Sequence, residues 1–185
     1  SNIVRIIFNT DIFRIPITGK NHFNIYNANT LIFYSENGTT FDFRNSVQSS
    51  FTFHLNTNQV NVVFQNITFT NFGNYELKSI EMFFLNFKDY SDNYTIEFDN
   101  CIFKDSIGTI LQSNIKCTKH IQTTPQLIFN KCKFSALDQI LEVVHEKDDS
   151  FKKSYECFSI LFKDCFFENL KFIGEVDFAN LEFNN

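Results

Sequence analysis

One eight-residue phrase recurs along the chain, and it limits what the chain can fold into more than any other feature. It reads Val62-Val63-Phe64-Gln65-Asn66-Ile67-Thr68-Phe69 and returns as Ile96-Glu97-Phe98-Asp99-Asn100-Cys101-Ile102-Phe103. It comes again as Leu127-Ile128-Phe129-Asn130-Lys131-Cys132-Lys133-Phe134 and as Ile160-Leu161-Phe162-Lys163-Asp164-Cys165-Phe166-Phe167. The shared form is apolar-x-Phe-x-polar-[Ile/Cys]-x-Phe. Weaker copies flank these: Phe41-Asp42-Phe43-Arg44-Asn45, Leu181-Glu182-Phe183-Asn184-Asn185, and Ile6-Ile7-Phe8-Asn9-Thr10-Asp11-Ile12-Phe13. Counted from Phe43, the intervals are 21, 34, 31, 33 and 21 residues. The shortest corresponds to one coil of a solenoid, and the longer ones carry insertions.

The alternation of apolar and polar residues makes each half of the phrase a short strand with one buried face. Ile96 and Phe98 face one way, the phase breaks at Asn100, and Cys101 and Phe103 resume the inward face. A one-residue phase break between strands is a tight bend. Asn suits it, because its side chain bonds nearby backbone and it tolerates the left-handed region. Asn45, Asn66, Asn100 and Asp164 are expected to occupy this slot, with Lys131 in the remaining copy. Stacked Asn side chains could bond one another as a ladder. A third strand follows each pair, as in Ile107–Leu111, Leu137–Leu141 and Leu170–Ile173.

High β-branched and aromatic content and only three Ala argue against helices. One repeat cannot bury its own apolar face, so copies must stack. The expected fold is all-β: a single-stranded parallel β-helix of about seven coils. With strands about 4.8 Å apart it would be a rod on the order of 34 Å long. Phe8, Phe43, Phe64, Phe98, Phe129, Phe162 and Phe183 should form an internal column, with Ile67, Cys101, Cys132 and Cys165 in a second. Residues 1–185 read as one domain, with clear repeats over 60–185 and degenerate ones over 1–59. The sequence stops inside a repeat and shows no capping helix. A segment of a longer solenoid, or end-to-end stacking with other copies, is therefore expected.

These phrases resemble the parallel β-helix repeats of the pectin-lyase-like superfamily. They are most similar to repeat-rich surface proteins, including those of ciliates and the polymorphic outer-membrane proteins of chlamydiae. The Gly-Gly-Ala phrase of the chlamydial proteins is absent here. The resemblance implies a right-handed coil and an extracellular or cell-surface location. That superfamily holds polysaccharide lyases and hydrolases, adhesins and structural rods.

The chain's own residues offer little to the enzymes. Asn9-Thr10-Asp11 matches, in isolation, a motif of polygalacturonase-like enzymes. The only Asp pair, Asp148-Asp149, lies far downstream, and there is no Gly-His-Gly. Glycoside cleavage needs two carboxyl groups at a set separation. The four His show no ligand spacing, and no serine-nucleophile elbow or phosphate loop occurs. Catalytic, metal-binding and cofactor residues are thus none. Net charge −5 and only three Arg argue against nucleic acid. No apolar run is long enough for a membrane helix.

Cys101, Cys132 and Cys165 share one repeat slot and read as small buried hydrophobes. Cys117 and Cys157 lie outside it and could bridge neighbouring loops. Of three sequons, Asn37 and Asn93 are the candidate glycosylation sites, Asn66 being committed to the ladder. The 23 Asn make three sequons an unremarkable number. Two functions remain. The first is a non-enzymatic rod, assembly subunit or adhesion module, acting through insertions at 76–93, 112–124 and 145–156. Its partners would be other protein chains or further coils of its own. The alternative is a polysaccharide-binding or polysaccharide-cleaving protein.

Overall fold

The computed structural model describes residues 2–16, 21–25, 29–46, 51–55, 60–73, 81–86, 94–115, 125–145, 158–176 and 179–185. Among them every regular element is a strand. The chain begins β1 (Ile3–Ile7), β2 (Ile12–Arg14), β3 (Asn21–Ile25), β4 (Thr30–Asp42), β5 (Phe51–Leu55), β6 (Val60–Thr70) and β7 (Glu81–Asn86). It continues β8 (Tyr94–Asp99), β9 (Ile102–Ser106), β10 (Thr109–Ile115), β11 (Leu127–Asn130), β12 (Lys133–Leu137) and β13 (Leu141–His145). It closes with β14 (Phe158–Lys163), β15 (Phe166–Leu170), β16 (Gly174–Val176) and β17 (Ala179–Asn184).

All pairings are parallel, and the chain visits three faces in turn, which makes the fold a parallel β-solenoid. The first face stacks β1, the start of β4, the start of β6, β8, β11, β14 and β17. The second stacks β2, the ends of β4 and β6, β9, β12 and β15. The third stacks β3, β5, β7, β10, β13 and β16.

Two left-handed bends per repeat turn one face into the next. The first lies at Asn66, Asn100, Lys131 and Asp164, with φ of 58°, 52°, 53° and 52°. The second, which the phrase does not announce, lies at Asn71, Asp105, Ala136 and Asn169, with φ of 58°, 51°, 52° and 52°. Asn and Asp populate this region at low cost, while Lys131 and Ala136 are held there by the rungs on either side. Glycine serves a further corner. Gly73 has φ +89°, and a Cβ there would collide with the backbone of Gly108. Only a residue without a Cβ at position 73 lets those rungs approach so closely.

The core is a herringbone of phenylalanines. Phe33, Phe64, Phe98, Phe129, Phe162 and Phe183 stack at 4.7, 5.1, 5.1, 4.8 and 5.0 Å between successive centroids, and Phe8 extends the column at 6.4 Å. Beside it Phe69, Phe103, Phe134 and Phe167 stack at 4.9, 5.1 and 5.0 Å. The columns meet edge to face, at 5.2 Å for Phe98–Phe103 and 5.3 Å for Phe129–Phe134. Strand spacing sets the stacking distance, and the offset and edge-on geometries suit the ring quadrupoles.

Two sequence expectations need correction here. Phe33, not Phe43, occupies the first column. Phe43 packs instead against Phe51 and Phe72, at 5.7 and 6.1 Å. Asn45 correspondingly lies outside the first bend; its N–H donates to the Asn71 carbonyl near the second (2.8 Å). The cause is an insertion at Ser35–Gly38, where the register between β4 and β6 shifts from Tyr34 to Thr39. The segment 76–93, read as an insertion, contains β7, and 112–124 begins with the end of β10.

Candidate functional site

Ile67, Cys101 and Cys132 are buried just inside the first bend, and Cys165 is half-buried in the same column. Each thiol points back to the preceding rung. Cys101 Sγ–H donates to the Phe64 carbonyl at 3.4 Å, Cys132 to Phe98 at 3.2 Å and Cys165 to Phe129 at 3.3 Å. Burial, and then contact with Cys101, push the Cys132 thiol far above its ordinary range. Contact with Cys132, and then burial, do the same for Cys165. A thiol is reactive or metal-binding only as thiolate. Cys132 and Cys165 are therefore held protonated, and the buried column serves as packing material. Cys117 and Cys157, the candidate disulfide pair, lie outside the described residues.

The first-bend ladder has one side-chain rung. Asn100 Nδ2 donates to Asn66 Oδ1 at 3.4 Å. Asn66 Nδ2 donates in turn to the Ser35 and Glu36 carbonyls, at 2.8 and 3.0 Å. The better ladder lies one residue earlier, and no repeat-slot reasoning located it. Asn130 Nδ2 donates to Asp99 Oδ1 at 2.8 Å, and Gln65 Nε2 to Asp99 Oδ2 at 3.4 Å. On the same outer surface Glu97 lies in register between Val63 and Ile128. Burial among such neighbours, and then the charge of Asp99, raise the Glu97 carboxyl above its ordinary range.

Of the candidate glycosylation sites, Asn37 is exposed on the insertion. The hydroxyl of its sequon threonine, Thr39, is buried and donates to the Thr10 carbonyl at 2.7 Å. Asn93 lies outside the described residues. Asp11 is exposed at the corner between β1 and β2, where its carbonyl accepts from Thr40 N–H at 2.8 Å. Asp148 and Asp149 are outside the described residues.

A shallow groove of about 410 Å³ follows the second bend across three rungs, lined among others by Asp105, Asp138, Asn169 and Lys171. Lys171 Nζ is 2.7 Å from Asp138 Oδ1. Sequence reasoning missed this grouping, because these residues do not share one slot of the phrase. Their alignment is visible only once Leu137 is registered against Ser106 and Leu170.

The end rungs are the remaining unusual surface. Among the described residues nine large apolar side chains are exposed. Eight of them lie at the ends of the stack: Ile3, Val4, Ile7, Ile12 and Phe13 at one, and Phe166, Phe172 and Phe183 at the other. Between those rungs Ile102 is the one other among the described residues. No group of His, Cys, Asp and Glu suited to a metal occurs among the described residues, nor does a helix long and apolar enough to cross a membrane. No protein-family model matches the chain, and no similar protein was found among curated sequences or solved structures.

Proposed function

We propose that this chain is a non-enzymatic structural protein, displayed outside the cell or at its surface, that serves as a rod or assembly subunit. In this reading it is one right-handed β-helix of about seven coils, counting each strand of the first face as one. The observation that carries the reading is the pair of phenylalanine columns that run unbroken from rung to rung, so that the repeated phrase is spent on packing. Inward side chains copy one another from rung to rung, the pattern of a solenoid extended by repetition. Loops between rungs would carry adhesive contacts. A polysaccharide-cleavage panel run beside electron microscopy of the purified protein tests this. Rods without sugar release support it, and release of reducing or unsaturated ends overturns it.

The groove at the second bend favours a second reading, a polysaccharide-binding or polysaccharide-cleaving protein. Asp105 and Asp138 stand on consecutive rungs beside Lys171 there. A glycan array on wild type and Asp138→Ala distinguishes the two readings.

A further inference from the structure

The insertion that shifts the register of β4 carries Asn37-Gly38, the one Asn-Gly pair in the chain. Its stem is pinned. Ser35 Oγ and Thr39 Oγ1 are hydrogen-bonded at 2.8 Å, and both residues are buried. Asn66 Nδ2 holds the Ser35 and Glu36 carbonyls. The tip is not pinned. Registered pairing stops at Tyr34 and resumes at Thr39, so Asn37 and Gly38 belong to no rung. Asn37 is exposed, and among the described residues no hydrogen bond reaches its side chain. Gly38 sits at φ +84°, and a Cβ built there would find Asn66 Oδ1 as its nearest neighbour outside the adjoining residues, at 3.9 Å. Other asparagines are placed differently. The N–H that follows Asn45, on Ser46, donates to the Phe43 carbonyl at 3.1 Å. That following Asn71, on Phe72, donates to Ser106 Oγ at 3.1 Å, and that following Asn130, on Lys131, donates to the Lys163 carbonyl at 2.8 Å.

We propose that Asn37 is a self-modifying site, at which the folded chain converts an amide to a carboxylate with water as the only co-reactant. Base removes the proton of the Gly38 N–H, and the nitrogen attacks Asn37 Cγ. The N–Cγ bond forms, the Cγ–Nδ2 bond breaks, and ammonia leaves a five-membered succinimide. Water then opens the ring. Attack at Cγ breaks the new N–Cγ bond and gives aspartate. Attack at the Asn37 main-chain carbonyl breaks the original peptide bond to Gly38 and gives isoaspartate, with the chain routed through Cγ. Nothing is oxidised or reduced. Glycine suits the attacking position because it brings no Cβ to crowd the nitrogen. A nitrogen whose N–H is held in a rung, as after Asn71 or Asn130, is turned away from this reaction. The same Asn37 amide is the candidate N-glycosylation site. Glycan transfer uses the sequon hydroxyl, and Thr39 keeps its hydroxyl buried on the Thr10 carbonyl. In the folded chain cyclisation is therefore the open route, and it destroys the amide that a glycan needs. Each event places a new negative charge beside exposed Glu36.

The test is peptide mapping by mass spectrometry on unglycosylated protein aged at physiological temperature, with circular dichroism to verify folding and a parallel sample unfolded in guanidinium. In the folded protein Asn37 should convert before any other asparagine, on a timescale similar to the unfolded sample. Isoaspartate should exceed aspartate, and the rate should rise several-fold from neutral to mildly alkaline pH, because the attacking nitrogen must lose its proton. Gly38→Ala should slow the conversion several-fold. Alanine is strained at φ +84°, so Asn37→Gln, which leaves the backbone as it is, provides the second arm. Its ring closure would be six-membered and slow, and the first acidic species on ion exchange should disappear. An Asn37 that converts in guanidinium but stays intact in the folded protein overturns the proposal. So does an acidic species that forms at an unchanged rate in Asn37→Gln.

Discussion

Phenylalanine-to-alanine changes at the middle and at the end of one column separate the stacking argument from simple hydrophobicity. Phe98 is 2% exposed and stacks on Phe64 and Phe129, both at 5.1 Å, with Phe103 and Phe69 edge-on at 5.2 and 5.9 Å. Phe183 is 44% exposed, stacks only on Phe162 at 5.0 Å and meets Phe167 at 6.0 Å. A buried Phe removes roughly 150–250 Å² from water, an upper limit of about 4–6 kcal/mol at about 25 cal/mol/Å². Measured core truncations of this kind cost about 3–5 kcal/mol, cavity included. Phe98→Ala should therefore destabilise by about 4 kcal/mol. Phe183 keeps little more than half of that burial, and its removal leaves a notch that water can enter instead of a closed void. Phe183→Ala should cost about 1–2 kcal/mol. Urea unfolding followed by far-ultraviolet circular dichroism, at concentrations where the chain is monomeric, reads both from the shift in midpoint at unchanged slope. Equal losses at the two positions would refute the reasoning, because burial and the number of stacked partners would then not set the energy.

Other positions test other parts of the structure. Gly73→Ala puts a Cβ into the Gly108 backbone at φ +89°, and a loss of at least about 2 kcal/mol is expected in the same urea assay. Lys131 holds φ 53° in a slot where Asn66 and Asn100 also sit, so Lys131→Asn should stabilise by about 0.5–1 kcal/mol. The folded Glu97 carboxyl is raised above 4.5, so the native state binds more protons than the unfolded one. Its contribution is present at low pH and is lost as pH climbs from about the unfolded value through the folded one. Glu97→Gln should remove that fall, seen as a wild-type-minus-variant difference that changes across mildly acidic pH in thermal melts. In a background lacking Cys117, Cys157 and half-buried Cys165, Cys101 and Cys132 should resist a disulfide reagent at pH 8 until the chain is unfolded in urea. Rapid labelling of the folded protein would contradict their buried placement.

The strand-bend-strand phrase made the solenoid legible because three signals coincide in it: alternation, a phase break, and an Asn or Asp at the break. Where one failed, placement failed with it. Phe64 and Phe69 are five residues apart, as are Phe98 and Phe103, but Ser35–Gly38 pushes Phe33 and Phe41 to eight. The compact Phe41-Asp42-Phe43 then imitates the phrase at the wrong corner, which displaced Phe43 and Asn45. β7 was hidden because Met82-Phe83-Phe84-Leu85 is a continuous apolar run without the period-two pattern. Ala136 gave no hint of its left-handed bend, since alanine has no preference for that region; neighbouring rungs impose it. The groove at the second bend was illegible for a related reason: Asp105, Asp138 and Lys171 converge through register, and register across a corner is not written in either strand alone.

This division between legible and hidden residues also says where recognition can reside. An inward side chain touches the rung above and the rung below, so its shape is copied from coil to coil and repeats in the sequence. An outward side chain is free of that copying. The outward column containing Arg5 reads Arg5, Ile32, Val63, Glu97, Ile128, Leu161, Glu182 through successive registered pairs. Apolar side chains fill it except at Glu97 and at its two ends, where the charges are opposite. Internal packing does not require an Arg at one end and a Glu at the other, since neither carries a repeated role. The same logic ranks Glu97 and the Asp138–Lys171 corner above any inward residue of the phrase as places where this chain would meet a partner.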